Sequence, residues 1–359
     1  MEVGCRRSVR VYFPDVRIYE VFDDVLVRAN VDDHHPQMAY FPVPYRATFE
    51  TLAGHVKICH VLERRPDNGD DDDDDDDDNN NLLPPGDDYE QTIVRFEITE
   101  RLVAVKVCLQ HKMDDLRARG NPEDPLRETA LMQHIGTNVP HVATCIDVLR
   151  VAQNDSYNIV MPYFGGGDLF DHLFSTGQGQ RFTEVEASPL FRGIMEGLLA
   201  LHHEKRICHH DLSIENIILD TDGHGYIIDF GMALRVPYAT ATIGISQEGQ
   251  LEEEQETQRC LIKPDGRYGK NSYMSPEVYA CRDAFDSEAS DVWSMGCVLW
   301  CMMTGHGSYR APLRTIPQFR FLSRECVHLM QNMLQVDPRL RLSINEVLAH
   351  PWMQGRKES

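Results

Sequence analysis

ICHHDLSIENIILD, residues 207–220, places Asp211 and Asn216 five positions apart, directly ahead of the apolar run Ile217, Ile218 and Leu219. A carboxylate and an amide at that spacing, in a loop that runs into an apolar segment, look like one half of a phosphoryl-transfer site. The carboxylate can receive the proton of an acceptor hydroxyl, and the amide oxygen suits a hard metal ion. The usual neighbouring cations are missing: His210 and Ser213 stand where such loops carry Arg and Lys.

Outward from the loop, the chain changes character. Upstream, YNIVMPY (157–163), RLVAVKVCLQ (101–110) and TIVRFEI (92–98) read as strands, with TER (99–101) as a turn between the last two. FETLAGHVKICHVLER (49–64) reads as a strand pair around Gly54, and SVRVYF, RIYEVF and VLVRANV within 1–45 as short strands. DPLRETALMQHIG (124–136) sets Leu126, Ala130, Leu131 and Ile135 at near-helical intervals, closed by Gly136. From GGGDLFDHLF (165–174) onward the pattern is mainly helical. Strands first and helices second indicate an α+β chain with two lobes. The run RPDNGDDDDDDDDDNNNLLPPGDD (65–88) cannot bury apolar surface and repels itself, so it reads as a solvated loop.

Further motifs follow in a fixed order. The strand VAVK ends at Lys106, the helix offers Glu128, the loop supplies Asp211 and Asn216, IIDFG presents Asp229, and YMSPE occupies 273–277. This ordered set resembles the eukaryotic protein kinase family over roughly 46–353. The resemblance implies a bilobal protein-kinase fold: an antiparallel β N-lobe with one helix at about 46–161, carrying the acidic insert 66–88, and a mainly α-helical C-lobe at about 165–353. Residues 1–45 would be an N-terminal extension and 354–359 a tail.

The same resemblance assigns roles, and each has a physical reason. Moving a γ-phosphoryl group needs its charge neutralised and its acceptor aimed. Lys106 would hold the α- and β-phosphates of ATP, with Glu128 pairing it. Asp229 and Asn216 would ligate Mg2+, and Asp211 would take or orient the substrate hydroxyl. Ala104 and Ile218 would face adenine, Met161 would be the gatekeeper, and Pro162–Phe164 the hinge. Asp168 would bond the ribose or cap the helix that follows. His209 and Phe230 are expected to pack inside the fold. Glu277 with Arg341, Asp291 of DVWSMG, and HPWM (350–353) resemble the scaffold of the large lobe. DTDGHGYIID (220–229) mimics the start of a calcium loop but has Gly231 where the bidentate Glu belongs, so a strand–turn–strand reading is preferred.

Three departures stand out. The phosphate-covering loop TLAGHVKI has only Gly54 where the family has three glycines. His210, if neutral, is a poor clamp for a phosphorylated activation segment, and that segment itself carries the acidic LEEEQE (251–256), so activity is expected not to require its phosphorylation. Counting back from Tyr273, Lys270 occupies the place where a Thr is usual. Hydroxyl and ammonium are then exchanged between 213 and 270, and Lys270 would restore positive charge beside Asp211; the alternative is a solvated Lys270 with Ser213 filling space. EDPLRETALMQHIG, MPYFGGGDLF, HHDLSIEN, IIDFGMALRVPY and GKNSYMSPEV resemble kinases of diatoms and related algae, and their broader cast is calcium/calmodulin-dependent-kinase-like.

Composition bounds the rest. With Asp and Glu at 57 against Lys and Arg at 35, the net charge is −22; removing the nine acids of Asp70–Asp78 still leaves −13. That balance disfavours nucleic acid and favours basic protein substrates. The ten cysteines form no CxxC pair, which suits a reducing compartment. VWSMGCVLWCMM (292–303) is too short to span a bilayer and reads as a buried helix, so the expectation is an intracellular protein, cytoplasmic or nuclear, with no membrane partner; the oligomeric state is left open. The leading reading is a serine/threonine protein kinase, a transferase using ATP and Mg2+. The alternative, suggested by the glycine-poor loop, is a weakly active or inactive pseudokinase acting as a binding module.

Overall fold

The computed structural model describes residues 38–43, 46, 48–64, 96–121, 125–151, 154–175, 180–236, 261–262, 268–307 and 320–354, with the backbone of 2–3, 9–13, 16–21, 26–28 and 94–95. The acidic insert, the LEEEQE run and residues 355–359 lie outside the described residues. The chain divides into two compact units, residues 1–116 with 146–163 and residues 117–145 with 164–359.

Among the described residues, the first unit forms a ten-stranded sheet. Its strands are β1 (Glu2–Val3), β2 (Val9–Phe13), β3 (Val16–Val21), β4 (Leu26–Arg28), β5 (Met38–Pro42), β6 (Phe49–Glu50), β7 (Gly54–Arg64), β8 (Val94–Leu109), β9 (Asp147–Val151) and β10 (Ser156–Pro162). The order β9–β10–β8–β7–β5–β4 is antiparallel throughout, as expected, whereas β1 joins β9 and β2 joins β8 in parallel. The N-terminal segment is thus woven into the sheet: β5 pairs with β7, and Tyr40 is fully buried.

One expectation is corrected here. TIVRFEI and RLVAVKVCLQ are a single strand, β8, with no hairpin at TER. Both halves pair with β7, and the register slips between His60 and Leu62, so that Thr99–Arg101 bulge opposite Val61. Thr99 Oγ1 donates to the Val61 carbonyl at 2.7 Å and accepts the Arg101 amide at 3.3 Å, which supplies local partners where the ladder is interrupted.

The period of two along these strands sorts the faces. Val103, Val105 and Val107 of β8 pack with Tyr40, Cys59, Val61, Leu149 and Val160 in one buried cluster. Ala104 and Lys106 consequently lie on the opposite face.

The second unit is mainly helical. The expected helix appears as α2 (Pro125–Ile135), after a further helix, α1 (Gln110–Ala118). α2 packs in the second unit, where Arg127 reaches the Ala233 carbonyl, and is not part of the sheet unit. Then come α3 (Leu169–Phe174), α4 (Glu184–Ala200), α5 (Pro276–Ala280), α6 (Ser287–Thr304), α7 (Arg324–Met333) and α8 (Ile344–Ala349). Capping residues set the ends: Thr183 with Glu186 and Ser343 with Glu346 form capping boxes, Asp286 caps α6, and Gly305 closes it at φ 69°. α6 contains the apolar run 292–303, buried as expected. Among the described residues no helix is long and apolar enough to cross a membrane.

Candidate active site

The loop 207–220 begins with β11 (Ile207–Cys208), passes through a 3-10 turn at Ile214–Asn216 and leaves as β12 (Ile217–Leu219), which pairs with β13 (Gly225–Ile227). Between β12 and β13, Asp220 Oδ1 accepts the amides of Asp222 and His224, so the calcium-loop look-alike is a strand–turn–strand.

Asp291 on α6 holds the loop from beneath. Its carboxylate, fully buried, accepts the backbone amides of His209 (2.7 Å) and His210 (2.9 Å) and faces His202 Nε2 at 2.9 Å. Burial pushes this carboxyl up, but the His202 bond and the neighbouring histidines outweigh it and hold it at about 2. These bonds stabilise His210 at φ 63°, an unfavourable backbone for a residue with a Cβ. His209 takes the packing role expected of it. Its Nδ1 accepts the Asp211 amide, its Nε2 therefore donates to the Ile228 carbonyl at 3.0 Å, and its ring lies 5.1 Å from Phe230.

Asp211 is gripped on both oxygens. Asn216 Nδ2 donates to Oδ2 at 3.0 Å and to the Asp211 carbonyl at 2.7 Å, while the Lys270 amide donates to Oδ1 at 2.9 Å. Burial raises the Asp211 carboxyl above the ordinary range, against the opposing pull of Lys270 and His209. With its amide nitrogen so engaged, Asn216 has Oδ1 left to offer. Asp229 is exposed at φ 65°, and only its Oδ1 is drawn into the turn, by the Gly231 amide at 3.2 Å. The donors are oxygens, the chemistry magnesium takes, so these residues fit the ion implied by the motif.

Lys270 Nζ donates to Ser213 Oγ at 2.8 Å and lies 3.4 Å from Glu215 Oε2. The hydroxyl and ammonium singled out by counting are in direct contact, although 57 residues separate them. Gly269 makes the approach possible: at φ 83°, a Cβ there would fall 2.3 Å from the His210 carbonyl oxygen. Gly269, Glu215 and His202 were not singled out in the sequence. The opposite charge of Glu215, two residues from Ser213, was the one available signal.

His210 is buried, its ring packed 5.5 Å from Tyr268 and 5.8 Å from Phe285, and burial pushes its pKa down to about 4. A neutral imidazole in an aromatic niche cannot hold a phosphate. Arg341 Nη1 and Nη2 meet Glu277 Oε1 and Oε2 at 2.7 and 3.0 Å, the expected pair, with Arg341 buried and Glu277 half-buried. Asp168 caps α3, accepting the Asp171 amide at 2.7 Å, and its backbone bridges to Ile218.

In the sheet unit, register aligns the remaining residues. Lys106 stands between Val56 and Ile159, and Ala104 between Ile58 and Met161, all on the face away from the valine cluster. Gly54 is demanded by packing, since a Cβ would sit 1.9 Å from the Val107 carbonyl oxygen. Thr51 and Gly54 exchange backbone bonds across Leu52 and Ala53, so the loop expected to cover the phosphates is a tight two-residue hairpin. Lys106 belongs to the sheet unit and Glu128 to the helical unit, where Glu128 is buried on α2.

Comparison with known proteins agrees with this geometry. The family model described as protein kinase domain matches residues 93–353, beginning at β8. The chain is 29% identical over 278 residues to serine/threonine-protein kinase SAPK2 of Oryza sativa subsp. indica, covering 72% of this chain and 71% of that one. It is 28% identical over 303 residues to maternal embryonic leucine zipper kinase of Xenopus tropicalis and 29% over 273 to serine/threonine-protein kinase SIK2 of Gallus gallus. These matches cover 75% and 73% of this chain but only 41% and 30% of those longer proteins. With the protein kinase domain matched over most of its length, the chain belongs to the eukaryotic protein kinase superfamily.

Proposed function

We propose that the chain is a serine/threonine protein kinase that transfers the γ-phosphoryl group of ATP to hydroxyls of protein substrates, with Asp211 as the proton acceptor. The observation that carries the reading is the set Asp211, Asn216, Lys270 and Ser213, in which Asn216 and the Lys270 amide hold the two oxygens of one carboxylate and the Lys270 ammonium meets Ser213. Asn216 and the Lys270 amide fix the two oxygens of Asp211, so that the carboxylate can aim the acceptor hydroxyl and receive its proton. The Lys270 ammonium supplies, from the activation segment, the preorganised positive charge that Ser213 cannot. Asp229 and Asn216 would hold magnesium, whose charge offsets that of the phosphate oxygens. Within the sheet unit, Lys106 would serve the α- and β-phosphates, Ala104 and Met161 the base, and the hairpin at Gly54 the phosphates; within the helical unit, Glu128, Ile218 and Asp168 keep the roles that the motifs imply.

Activity in this reading does not need a phosphorylated activation segment. His210 plugs its niche as a neutral ring, and residues 268–274 are already tied to the loop by Gly269 and the Lys270 amide. The net charge of −22 draws basic substrates by long-range, salt-screened attraction. The motif text supports a calcium/calmodulin-dependent-kinase-like cast close to algal kinases, and β5 supports a kinase domain that starts before residue 46.

The test is nucleotide-dependent thermal shift followed by radiolabelled transfer to a mixed protein substrate, with D229N as control. Transfer by the native chain and its loss in D229N are expected; binding without transfer would overturn the enzymatic reading. For the exchange of charge, K270T should cut kcat at least about tenfold and S213K should restore part of it. A harmless K270T, or no rescue, removes Lys270 from the chemistry.

A further inference from the structure

Lys270 has a second neighbour that phosphoryl transfer leaves unused. While Nζ donates to Ser213 Oγ, it also lies 3.4 Å from Glu215 Oε2. Glu215 sits in the turn Ile214–Asn216, beside the residue bonded to Asp211, and the Lys270 amide is itself bonded to Asp211 Oδ1. One lysine residue, with a contact at each end, therefore bridges Glu215 and the proton acceptor. Its side chain is 39% exposed, while Oε2 is buried and accepts no hydrogen bond among the described residues.

A carboxylate open to solvent on one side, this close to Asp211, is where a cation on an incoming polypeptide would settle. In this chain a cation of its own is already there, anchored at its amide on one loop residue and at its ammonium on another. A substrate Arg or Lys arriving at Glu215 would meet a neutralised pair and a like charge, so its attraction would be largely cancelled.

Resting on the kinase reading above, we propose that Lys270 also determines specificity: it neutralises Glu215 from within, so the enzyme accepts hydroxyls with no basic residue beside them. Removing the ammonium exposes Glu215 as a subsite for a guanidinium or ammonium group of the substrate. The long-range pull of the acidic surface is separate, since it acts on encounter and fades with salt, whereas this selection acts at contact.

The experiment uses the full chain with Mg-ATP at about 0.15 M salt, where long-range steering is damped. A serine peptide carrying one Arg, moved through each position flanking the acceptor, is compared with its all-alanine parent for the native chain, K270M, E215Q and the double variant. The native chain should give kcat/KM ratios within about twofold of unity, and K270M, though slower, a ratio of about tenfold at one position, abolished by adding E215Q. Each ratio is internal to one variant, so a lowered kcat does not obscure it. Kd values of the same fluorescent peptides give the ratio without turnover. A native preference for Arg that E215Q abolishes, or no gained preference in K270M by either measure, overturns the proposal. Failure of the native chain to phosphorylate any peptide would instead sink the kinase reading.

Discussion

Asp291→Asn tests what fixes the catalytic loop. The carboxylate is fully buried and serves three donors: the amides of His209 at 2.7 Å and His210 at 2.9 Å, and His202 Nε2 at 2.9 Å. Asn keeps one acceptor oxygen and turns an NH2 group toward the others, so at least one buried backbone N–H loses its partner. A hydrogen bond to a charged group contributes about 1.5–3 kcal/mol, and an orphaned buried donor costs about 1–3. Breaking the set should therefore cost roughly 3–5 kcal/mol of stability. His210, at φ 63°, would lose the bond that pays for its conformation, so kcat should fall with it. Urea unfolding followed by intrinsic tryptophan fluorescence, to which Trp293 two residues along α6 contributes, reports the first effect, and the second is read as kcat at saturating ATP. The difference should also depend on pH. The carboxyl sits at about 2 against an ordinary 3.8, because the His202 bond and nearby histidines outweigh burial. A depressed carboxyl stabilises the fold fully above its unfolded value and loses that contribution as pH falls through the folded one. The gap between the native chain and D291N should narrow between about pH 4 and pH 2. A loss under about 1 kcal/mol with unchanged kcat would refute the pinning argument.

Three further outcomes are expected. Burial raises Asp211 despite Lys270, so the acid limb of the kcat–pH profile should fall above the ordinary Asp value of 3.8, and K270M, which removes an opposing charge, should move it higher; a downward shift would contradict the assignment. Gly54→Ala would drive a Cβ to 1.9 Å from the Val107 carbonyl and should cost about 1–3 kcal/mol, visible as a lower Tm and a raised KM for ATP. Arg341→Lys keeps the charge but not the fork on Glu277, nor the bonds to the carbonyls of Ala289 and Gln335, and should lose about 3 kcal/mol in urea unfolding.

Much of the site was legible because its signals are short-range. DFG, the Asp–Asn spacing and the apolar alternation of VAVKV are local patterns, and local geometry follows from them. The errors arose where pairing decided the outcome. TER looks like a turn by itself, yet both flanking runs pair with β7, and the ladder absorbs TER as a bulge. HKMDDLR carries no long apolar stripe, so α1 went unseen, with only Met113 buried on it. Gly54 looked like a phosphate-approach glycine, and its neighbour across the sheet gives it a packing reason.

The sequence by itself determined the order of the motifs, the face on which Ala104 and Lys106 lie opposite the valines, and the oddity of Ser213 and Lys270 as an exchanged pair. Tertiary structure decided which charges meet. Whether Lys270 touches Ser213 depends on how the chain between them closes, on Gly269 allowing the backbone within reach of His210, and on Asp291 holding the loop from below. Glu215 shows the difference most plainly. In the text it is one acid among 57; folded, it lies 3.4 Å from the lysine that completes the site, because electrostatic partners are set by separation in space and by burial, neither of which a linear spacing encodes.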